Sequence, residues 1–192
     1  MKIAIIGAGF VGESLARAVT KFGYEVMLSS RNPNSDKMQT LIHDIGSNVQ
    51  AGTVEDTLAF SDIVAIALQY DDALEVVQTG DWSDKIVLDM TQGDMQKLQD
   101  LTGASVVKIF NSIGAEHYQN PVFAGINATM FYCGDDKTAK ETVAKIAATI
   151  NFSAIDAGDS SMGQHLVNLA QFWVALMQNG MGRDFAFKLI QK

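Results

Sequence analysis

Short apolar runs rich in valine and isoleucine alternate along the chain with segments of helical periodicity. Several runs are apolar on both faces, which is typical of strands that helices cover on each side of a sheet. Strands that alternate with helices predict an α/β fold with a doubly wound, mostly parallel sheet. The eight predicted strands occupy residues 2–7, 25–30, 48–51, 62–68, 85–90, 105–110, 129–133 and 153–157.

Three of the intervening helices have clear boundary signals. Gly23 and Gly46 are placed to end the first and second helices, and Asp136 is placed to cap a helix over 137–150. In each helix, apolar residues at helical spacing form one stripe that can pack against the sheet. The stripes consist of Val11, Leu15, Ala18 and Phe22 in the first helix, Met38, Leu41, Ile42 and Ile45 in the second, and Val143, Ile146, Ala147 and Ile150 in the third.

The last part of the chain has a different pattern. A long helical stretch begins near Ser160, and Phe172 and Val174 widen its apolar stripe beyond one face. A helix that is apolar over most of its circumference is typically buried on more than one side. We therefore predict a sheet domain at residues 1–157 and a C-terminal helical segment at 158–192 that also contacts a second subunit of a homodimer. The stripe consists of Leu166, Leu169, Ala170, Trp173, Leu176 and Met177.

Composition and charge exclude several classes of partner. With 192 residues, 47% of them hydrophobic, the chain is long enough for one full core and short for two. A formal net charge of −8 gives no overall positive field for nucleic acid or acidic lipid. No signal peptide precedes the first strand, and no apolar run approaches the roughly 20 residues that span a bilayer, so we expect a soluble, cytoplasmic protein. The single Cys133 and the lack of Cys/His pairs argue against a disulfide or a metal site.

A G-x-G-x-x-G pattern stands between the first strand and the first helix. The first glycine of such a motif makes the turn, the second admits a pyrophosphate, and the third lets helix and strand pack closely. The helix N-terminus adds N–H groups and a partial positive charge. The motif predicts that residues 1–157 are a Rossmann dinucleotide-binding domain. Its cofactor-binding residues here are Gly7, Gly9, Phe10, Val11 and Gly12.

The end of the second strand indicates which dinucleotide binds. An NAD-binding unit normally carries an Asp or Glu there, and that carboxylate would repel a 2′-phosphate on the ribose. This chain has Ser30 followed by Arg31, which supply a hydroxyl donor and a planar cation matched to phosphate oxygens. We therefore predict NADP(H) as the cofactor. Lys37 is either a further positive charge at this site or a solvated helix residue.

Six segments resemble, in their order, the NADP-dependent oxidoreductases of coenzyme F420, a deazaflavin, and the related cytosolic reductase domain of the STEAP metalloreductases. The resemblance covers essentially the whole chain. It implies that a deazaflavin or flavin lies against the nicotinamide in a cleft closed by C-terminal helices, with hydride passing directly between the rings. The segments are GAGFVG at 7–12, SSRNP at 29–33, KIFNSIGAEH at 108–117, FYCGDD at 131–136, AIDAGD at 154–159 and QNGMG at 178–182.

The resemblance also implies roles for single residues. Ser30 and Arg31 match the family's pair that binds the 2′-phosphate. Independently of the family, ligands gather beyond the carboxyl ends of parallel strands, so Leu68, Gln69 and Thr91 are expected beside the dinucleotide. The loop after the sixth strand lines the acceptor cleft in the family, and in this chain it consists of Asn111, Ser112, Ile113, Gly114 and Ala115.

No side chain is assigned a catalytic role. His117 and His165 lack a carboxylate at a spacing that would orient them, and His117 is the better candidate of the two. Asp135 and Asp136 stand where a helix begins and are predicted to be caps. Cys133 lies inside a strand and is predicted to belong to the core.

Three interpretations of function remain open at this stage. The first is an NADPH-dependent oxidoreductase whose acceptor is a deazaflavin, a flavin or a quinone; Gly114 stands where the deazaflavin enzymes often have proline. The second is an NADPH-binding sensor without turnover. The third is a reductase of a small imine or hydroxyacid, although the C-terminal segment is much shorter than the helical domain those enzymes use.

Overall fold

A computed structural model describes residues 1–192. The fold contains ten strands and seven α-helices. The strands are β1 (Lys2–Ile6), β2 (Glu25–Ser29), β3 (Val49–Gly52), β4 (Ile63–Ile66), β5 (Ile86–Asp89), β6 (Ser105–Lys108), β7 (Val122–Phe123), β8 (Ile126–Asn127), β9 (Thr129–Gly134) and β10 (Ser153–Asp156). The helices are α1 (Phe10–Thr20), α2 (Asp36–Ile45), α3 (Val54–Phe60), α4 (Tyr70–Val76), α5 (Met95–Thr102), α6 (Lys137–Thr149) and α7 (Gly163–Leu176).

Eight of the strands form one sheet in the order β10-β9-β6-β5-β4-β1-β2-β3. Six neighbouring strands are parallel to one another, in the order β6, β5, β4, β1, β2 and β3. β9 runs antiparallel to β6, with Lys108 opposite Cys133, and β10 is parallel to β9. All eight predicted strands are present, and the predicted α/β fold with a mostly parallel sheet is confirmed. The chain crosses over between β3 and β4, so the carboxyl ends of β1 and β4 flank a crevice where ligands of such sheets bind.

Helices cover both faces of the sheet. Residues of α1, α2 and α6 pack on one face around Ile3, Ile5 and Leu88. Residues of α3, α4, α5 and α7 pack on the other face around Ile6 and Val87. The strands are apolar on both sides because each side meets a helix layer. No helix combines the length and the apolarity that a bilayer crossing requires.

The predicted helix boundaries hold in all three cases. Asp136 caps α6, where its Oδ1 accepts from the N–H of Ala139 at 2.7 Å, and Gly46 ends α2. The regular turns of the first helix end at Thr20, and Gly23, with a φ of 80°, closes it as its N–H donates to the Thr20 carbonyl at 3.0 Å. Phe22 therefore lies beyond the regular turns and is 46% exposed, so its assignment to the buried stripe was wrong.

The C-terminal segment is helical over only part of its predicted length. After α7 a π-type turn covers Met177–Met181, and residues 182–192 run on as a tail without helix. The helical segment ends at the π-type turn because Gly180 and Gly182 have positive φ values of 95° and 73°, which regular helices do not contain. The tail folds back over α7 and is held to β9, where the Thr129 N–H donates to the Phe187 carbonyl at 2.9 Å.

Candidate nucleotide and acceptor site

The turn between β1 and α1 has the geometry that a phosphate-binding loop needs. Gly7 has a φ of 111°, and a Cβ there would lie 2.6 Å from the Ala67 carbonyl oxygen, so only glycine fits. The Gly7 N–H donates to Ser29 Oγ at 3.0 Å, which fixes the turn against β2. Gly9 precedes α1 without a side-chain cap, so the first N–H groups of the helix face the loop uncapped.

A cavity of about 740 Å³ opens beside this turn. Ser30 and Arg31 line it from the end of β2, and Lys37 lines it from α2. The Arg31 guanidinium is exposed and makes no ion pair within the chain. Ser30 Oγ accepts from the Asn32 N–H at 3.2 Å, which leaves its own proton free to donate. The residues therefore fit a 2′-phosphate, and the binding roles of Ser30 and Arg31 stay a prediction.

The same cavity also has an acidic side. Glu55 lines it from the first turn of α3, and Asp72 and Glu75 line it from α4. Cations thus stand at the β2 end of the cavity and carboxylates at its α3 and α4 walls. The 2′-phosphate is expected near Arg31 and away from the acidic side, because a carboxylate close to the phosphate would repel it.

A second cavity, of about 460 Å³, continues from the first along the carboxyl ends of the strands. The two share Gly7, Ala8, Gly9, Leu68 and Asp72 as a common wall. The wall beyond the glycine turn includes every residue expected beside the dinucleotide and four that the sequence did not indicate, Ala67, Asp72, Met90 and Gln92. These residues are Phe10, Val11, Ala67, Leu68, Gln69, Asp72, Met90, Thr91 and Gln92. Gly12 lies behind this wall, where α1 packs against the turn.

A buried ion pair between Asp89 and Lys108 holds the loop at Thr91 in place. Lys108 Nζ lies 2.6 Å from Asp89 Oδ2, and both side chains are 0% exposed. The Thr91 N–H donates to Asp89 Oδ1 at 2.9 Å, and Lys108 Nζ donates to the Thr91 carbonyl at 3.1 Å. Removing one partner of such a pair costs about 3–5 kcal/mol, because the other charge stays buried and unpaired. Neither residue was predicted to lie at the site, although a charged residue at the end of each apolar run was the signal in the sequence.

An apolar cleft of about 270 Å³ lies between the loop after β6 and helix α7. Four of the five predicted acceptor residues, Asn111, Ile113, Gly114 and Ala115, are on its wall. Ser112 is buried beside them but does not line the cleft. The other wall residues are Phe10, Val11, Met90, Gln92, Phe110, Tyr118, Ala170, Trp173, Val174, Met177 and Arg183.

The backbone turns sharply at the start of this loop. Phe110 has a φ of 60°, which costs a bulky residue about 1–3 kcal/mol. Aromatic packing holds it there, with ring centroids 5.4 Å from Tyr118 and 5.9 Å from Phe152. The Tyr118 hydroxyl donates to the Phe110 carbonyl. Burial raises the pKa of Tyr118, so the hydroxyl keeps the proton that it donates.

The tail closes one side of the cleft through a pair of charged residues, which we call the clasp. Arg183 donates from Nη2 to Glu116 Oε2 at 3.0 Å and from Nε to the other oxygen. These hydrogen bonds lower the pKa of Glu116, so the carboxylate stays charged. The guanidinium also lies over the Trp173 ring, 5.4 Å from its centroid. No local pattern in the sequence indicates this contact between residues 67 positions apart.

Apart from Tyr118, whose hydroxyl is bonded to Phe110, the side chains that could act as acids, bases or nucleophiles lie off the cleft wall. His117 Nε2 is 2.9 Å from the Arg183 carbonyl, and His165 is exposed on α7. Asp135 accepts from the N–H of Ser160 at 2.8 Å, so it holds the segment after β10 and does not cap α6 as predicted. Cys133 is buried, and burial raises the pKa of its thiol to about 11. A thiol with that pKa is protonated at neutral pH and is a poor nucleophile.

Comparison with known proteins agrees with this geometry. Residues 2–93 match the family described as NADP oxidoreductase, coenzyme F420-dependent. The chain is thus similar to these NADP-dependent oxidoreductases over the first part of its sheet. It is 27% identical over 170 residues to metalloreductase STEAP3 of Rattus norvegicus, a match that covers 82% of this chain and 34% of the rat protein. The chain thus spans about a third of the length of that relative.

Solved structures show the same fold. A candidate F420-dependent NADP reductase from Arthrobacter sp. FB24 matches with a TM-score of 0.88 and 23% identity, over 100% of both chains. An imine reductase from Aspergillus terreus in complex with NADPH4 and dibenz[c,e]azepine matches with a TM-score of 0.71 and 20% identity. That match covers 93% of this chain and 63% of the imine reductase.

Proposed function

We propose that the protein transfers hydride between NADP(H) and a deazaflavin, such as coenzyme F420, or a flavin. The observation that carries the proposal is the shared wall between the nucleotide cavity and the apolar cleft. Phe10, Val11, Met90 and Gln92 line both. A flat acceptor ring in the cleft would therefore meet the dinucleotide across this wall. The cleft suits an aromatic ring because 11 of its 15 wall residues are hydrophobic.

The chain's own residues bind and orient the two reactants and exclude water from them. NADPH supplies the hydride and becomes NADP⁺, and the acceptor takes up that hydride together with one proton from solvent. The glycine turn and Arg31 hold the phosphates, and the ion pair of Asp89 and Lys108 fixes the Thr91 loop. Holding two reactants at about 3–3.5 Å supplies much of the rate, so no catalytic side chain is required.

The choice of cofactor rests on Arg31. We expect NADPH to bind at least about tenfold more tightly than NADH, because charge-assisted bonds to the 2′-phosphate supply the roughly 1.4 kcal/mol that this requires. Arg31→Ala should remove most of the preference and leave NADH binding nearly unchanged. Fluorescence titration with both nucleotides measures this, with Lys21→Ala as a control that removes a positive charge outside the cavity. Equal affinities in the unmodified protein would contradict the assignment.

Replacement of His117 tests whether a side chain acts as an acid or base. His117→Ala should lower turnover by less than about tenfold, since its ring contacts the tail rather than the cleft wall. Loss of a true general acid typically costs 10²–10⁴-fold. Steady-state rates across pH measure the difference, and a loss of about 100-fold or more would assign His117 to the chemistry.

We also propose a homodimer in which α7 faces a second copy. Phe172 is 54% exposed and Val174 is 40% exposed, although both lie on a largely apolar helix. Trp173, which the sequence also suggested, is 5% exposed and covered by Phe185 of its own chain. Light scattering should give twice the chain mass of 20.8 kDa. Phe172→Asp should give the single mass, whereas Gln119→Asp, at an exposed position away from α7, should not. The single mass for the unmodified protein at micromolar concentration would rule the dimer out.

The proposed function is tested by offering NADPH-loaded protein each acceptor in turn without oxygen. Loss of the near-ultraviolet absorbance of NADPH reports oxidation. We expect turnover with coenzyme F420 or with FMN or FAD, and little with a cyclic imine. Tight NADPH binding without turnover on any acceptor would instead identify a nucleotide sensor, and turnover on the imine alone would identify an imine reductase.

A further inference from the structure

One polar side chain on the wall of the apolar cleft has no partner. Asn111 is 7% exposed, and its Oδ1 and Nδ2 are both buried without a hydrogen bond. The other polar wall residues are engaged. Gln92 Nε2 donates to the Asn111 carbonyl at 3.1 Å, Tyr118 donates to Phe110, and Arg183 is held in the clasp.

An unpaired amide in this position has an energetic cost. A buried donor or acceptor left without a partner costs about 1–3 kcal/mol, and this carboxamide leaves one of each. The loop presents it nonetheless, through the positive φ of Phe110 and the bond from Gln92 to the Asn111 backbone. Strain and unpaired polar groups held together by surrounding packing are typical of sites that a ligand completes.

We propose that the Asn111 carboxamide recognises the amide edge of a planar ligand, on which a carbonyl oxygen and an N–H stand side by side. Its Nδ2 donates to the carbonyl and its Oδ1 accepts from the N–H, so a single side chain makes two parallel hydrogen bonds. The inference rests on the proposed function and deepens it, because Asn111 then sets which rings the cleft accepts. A hydrocarbon ring of the same size leaves the amide unpaired and is rejected.

Two groups in the proposed reaction carry such an edge. One is the imide of the pyrimidine ring in flavins and deazaflavins, and the other is the carboxamide of nicotinamide itself. N3-methyl-FMN and 3-acetylpyridine adenine dinucleotide phosphate each lack the N–H of the respective edge. Comparing each analogue with its parent in the unmodified protein therefore separates the two sources without any substitution.

The experiment measures dissociation constants by fluorescence titration. FMN and N3-methyl-FMN are titrated into protein saturated with NADP⁺, and NADPH and the reduced acetylpyridine analogue are titrated alone. If Asn111 holds the acceptor, methylation should weaken FMN binding at least about tenfold. If it holds nicotinamide, the acetyl analogue should bind at least about tenfold more weakly. In Asn111→Leu, the ratio of dissociation constants between the weakened analogue and its parent should fall below about threefold. In Asn120→Leu, which is the same change at an exposed position, that ratio should persist.

Thermal unfolding gives a readout that does not depend on ligands. Leucine has the same branched skeleton as asparagine without polar atoms, and its larger methyl groups have space in the cleft. Ligand-free Asn111→Leu should therefore melt at least about 2 °C above the unmodified protein. Equal binding of each analogue and its parent would overturn the proposal, as would unchanged ligand discrimination in Asn111→Leu. An absence of turnover with every acceptor would defeat the proposed function alone, since the nicotinamide titrations still decide the role of Asn111.

Discussion

Gly114→Phe is expected to slow NADPH oxidation about 100-fold or more, while the affinity for NADPH changes less than about threefold. Gly114 lies on the cleft wall, and a Cβ there would come within 2.6 Å of Glu116 Oε2. A phenyl group at this position must occupy the cleft or displace the clasp. Gly7 and Gly9 do not line the cleft, and Arg31 lies in the nucleotide cavity away from it, so nucleotide binding should persist. Stopped-flow oxidation of bound NADPH, with the best acceptor found, measures the rate.

Glu116→Gln separates the two causes of that loss. It weakens the ion pair with Arg183 without adding volume to the cleft. We expect Glu116→Gln to keep the rate within about tenfold of the unmodified protein, because an exposed ion pair contributes little free energy. If Glu116→Gln is as slow as Gly114→Phe, the clasp rather than cleft space determines the rate. If Gly114→Phe itself stays within about tenfold, the ring does not bind in this cleft.

Alanine at Gly9 and at Gly12 should have opposite effects on binding and stability. A Cβ at Gly9 meets nothing within 4 Å, so Gly9→Ala should melt within about 2 °C of the unmodified protein. Its methyl group would stand where the pyrophosphate approaches the backbone, and NADPH affinity should fall at least about 30-fold. A Cβ at Gly12 would lie 2.0 Å from the Gly7 carbonyl oxygen, a backbone atom that cannot yield cheaply. Gly12→Ala should therefore lose about 3 kcal/mol or more of stability, or about 6–12 °C.

Calorimetric melting and NADPH titration of both variants test this pair of expectations. A Gly9→Ala protein that binds NADPH normally would mean that the phosphates do not approach this turn. A Gly12→Ala protein of unchanged stability would mean that the turn relaxes away from α1.

The strands could be predicted because each is apolar on both faces and bounded by turn residues, which is a local signal. Burial at the helix ends was less predictable. Gly23 closes the first helix as predicted, yet Phe22, which precedes it, turns to solvent because the regular helix ends at Thr20. The tail was missed for a similar reason. Its aromatic residues Phe185 and Phe187 have no strand or helix period, and they pack on α7 only because the chain reverses after Gly182.

The candidate site also has parts that the sequence predicts and parts that it does not. The glycine motif, Arg31 and the loop from Asn111 to Ala115 lie next to strand ends, so their position followed from the predicted sheet. The ion pair of Asp89 and Lys108 depends on which strands are neighbours, and local pattern does not contain that information. The clasp likewise joins segments that are distant in sequence. Asn111 was named for its place in the loop, but its unpaired amide appears only when burial and partners are known.

The central claim is that hydride passes directly from NADPH to a ring in the apolar cleft. It is tested most directly by reducing coenzyme F420 with NADPH that carries deuterium in place of both hydrogens on nicotinamide C4. The reduced deazaflavin holds the transferred hydrogen on a ring carbon, where it does not exchange with water. The account predicts one deuterium in the reduced product, found by mass spectrometry, in ordinary water. Reduced product without deuterium, or no oxidation of NADPH by F420 or any flavin, would contradict it.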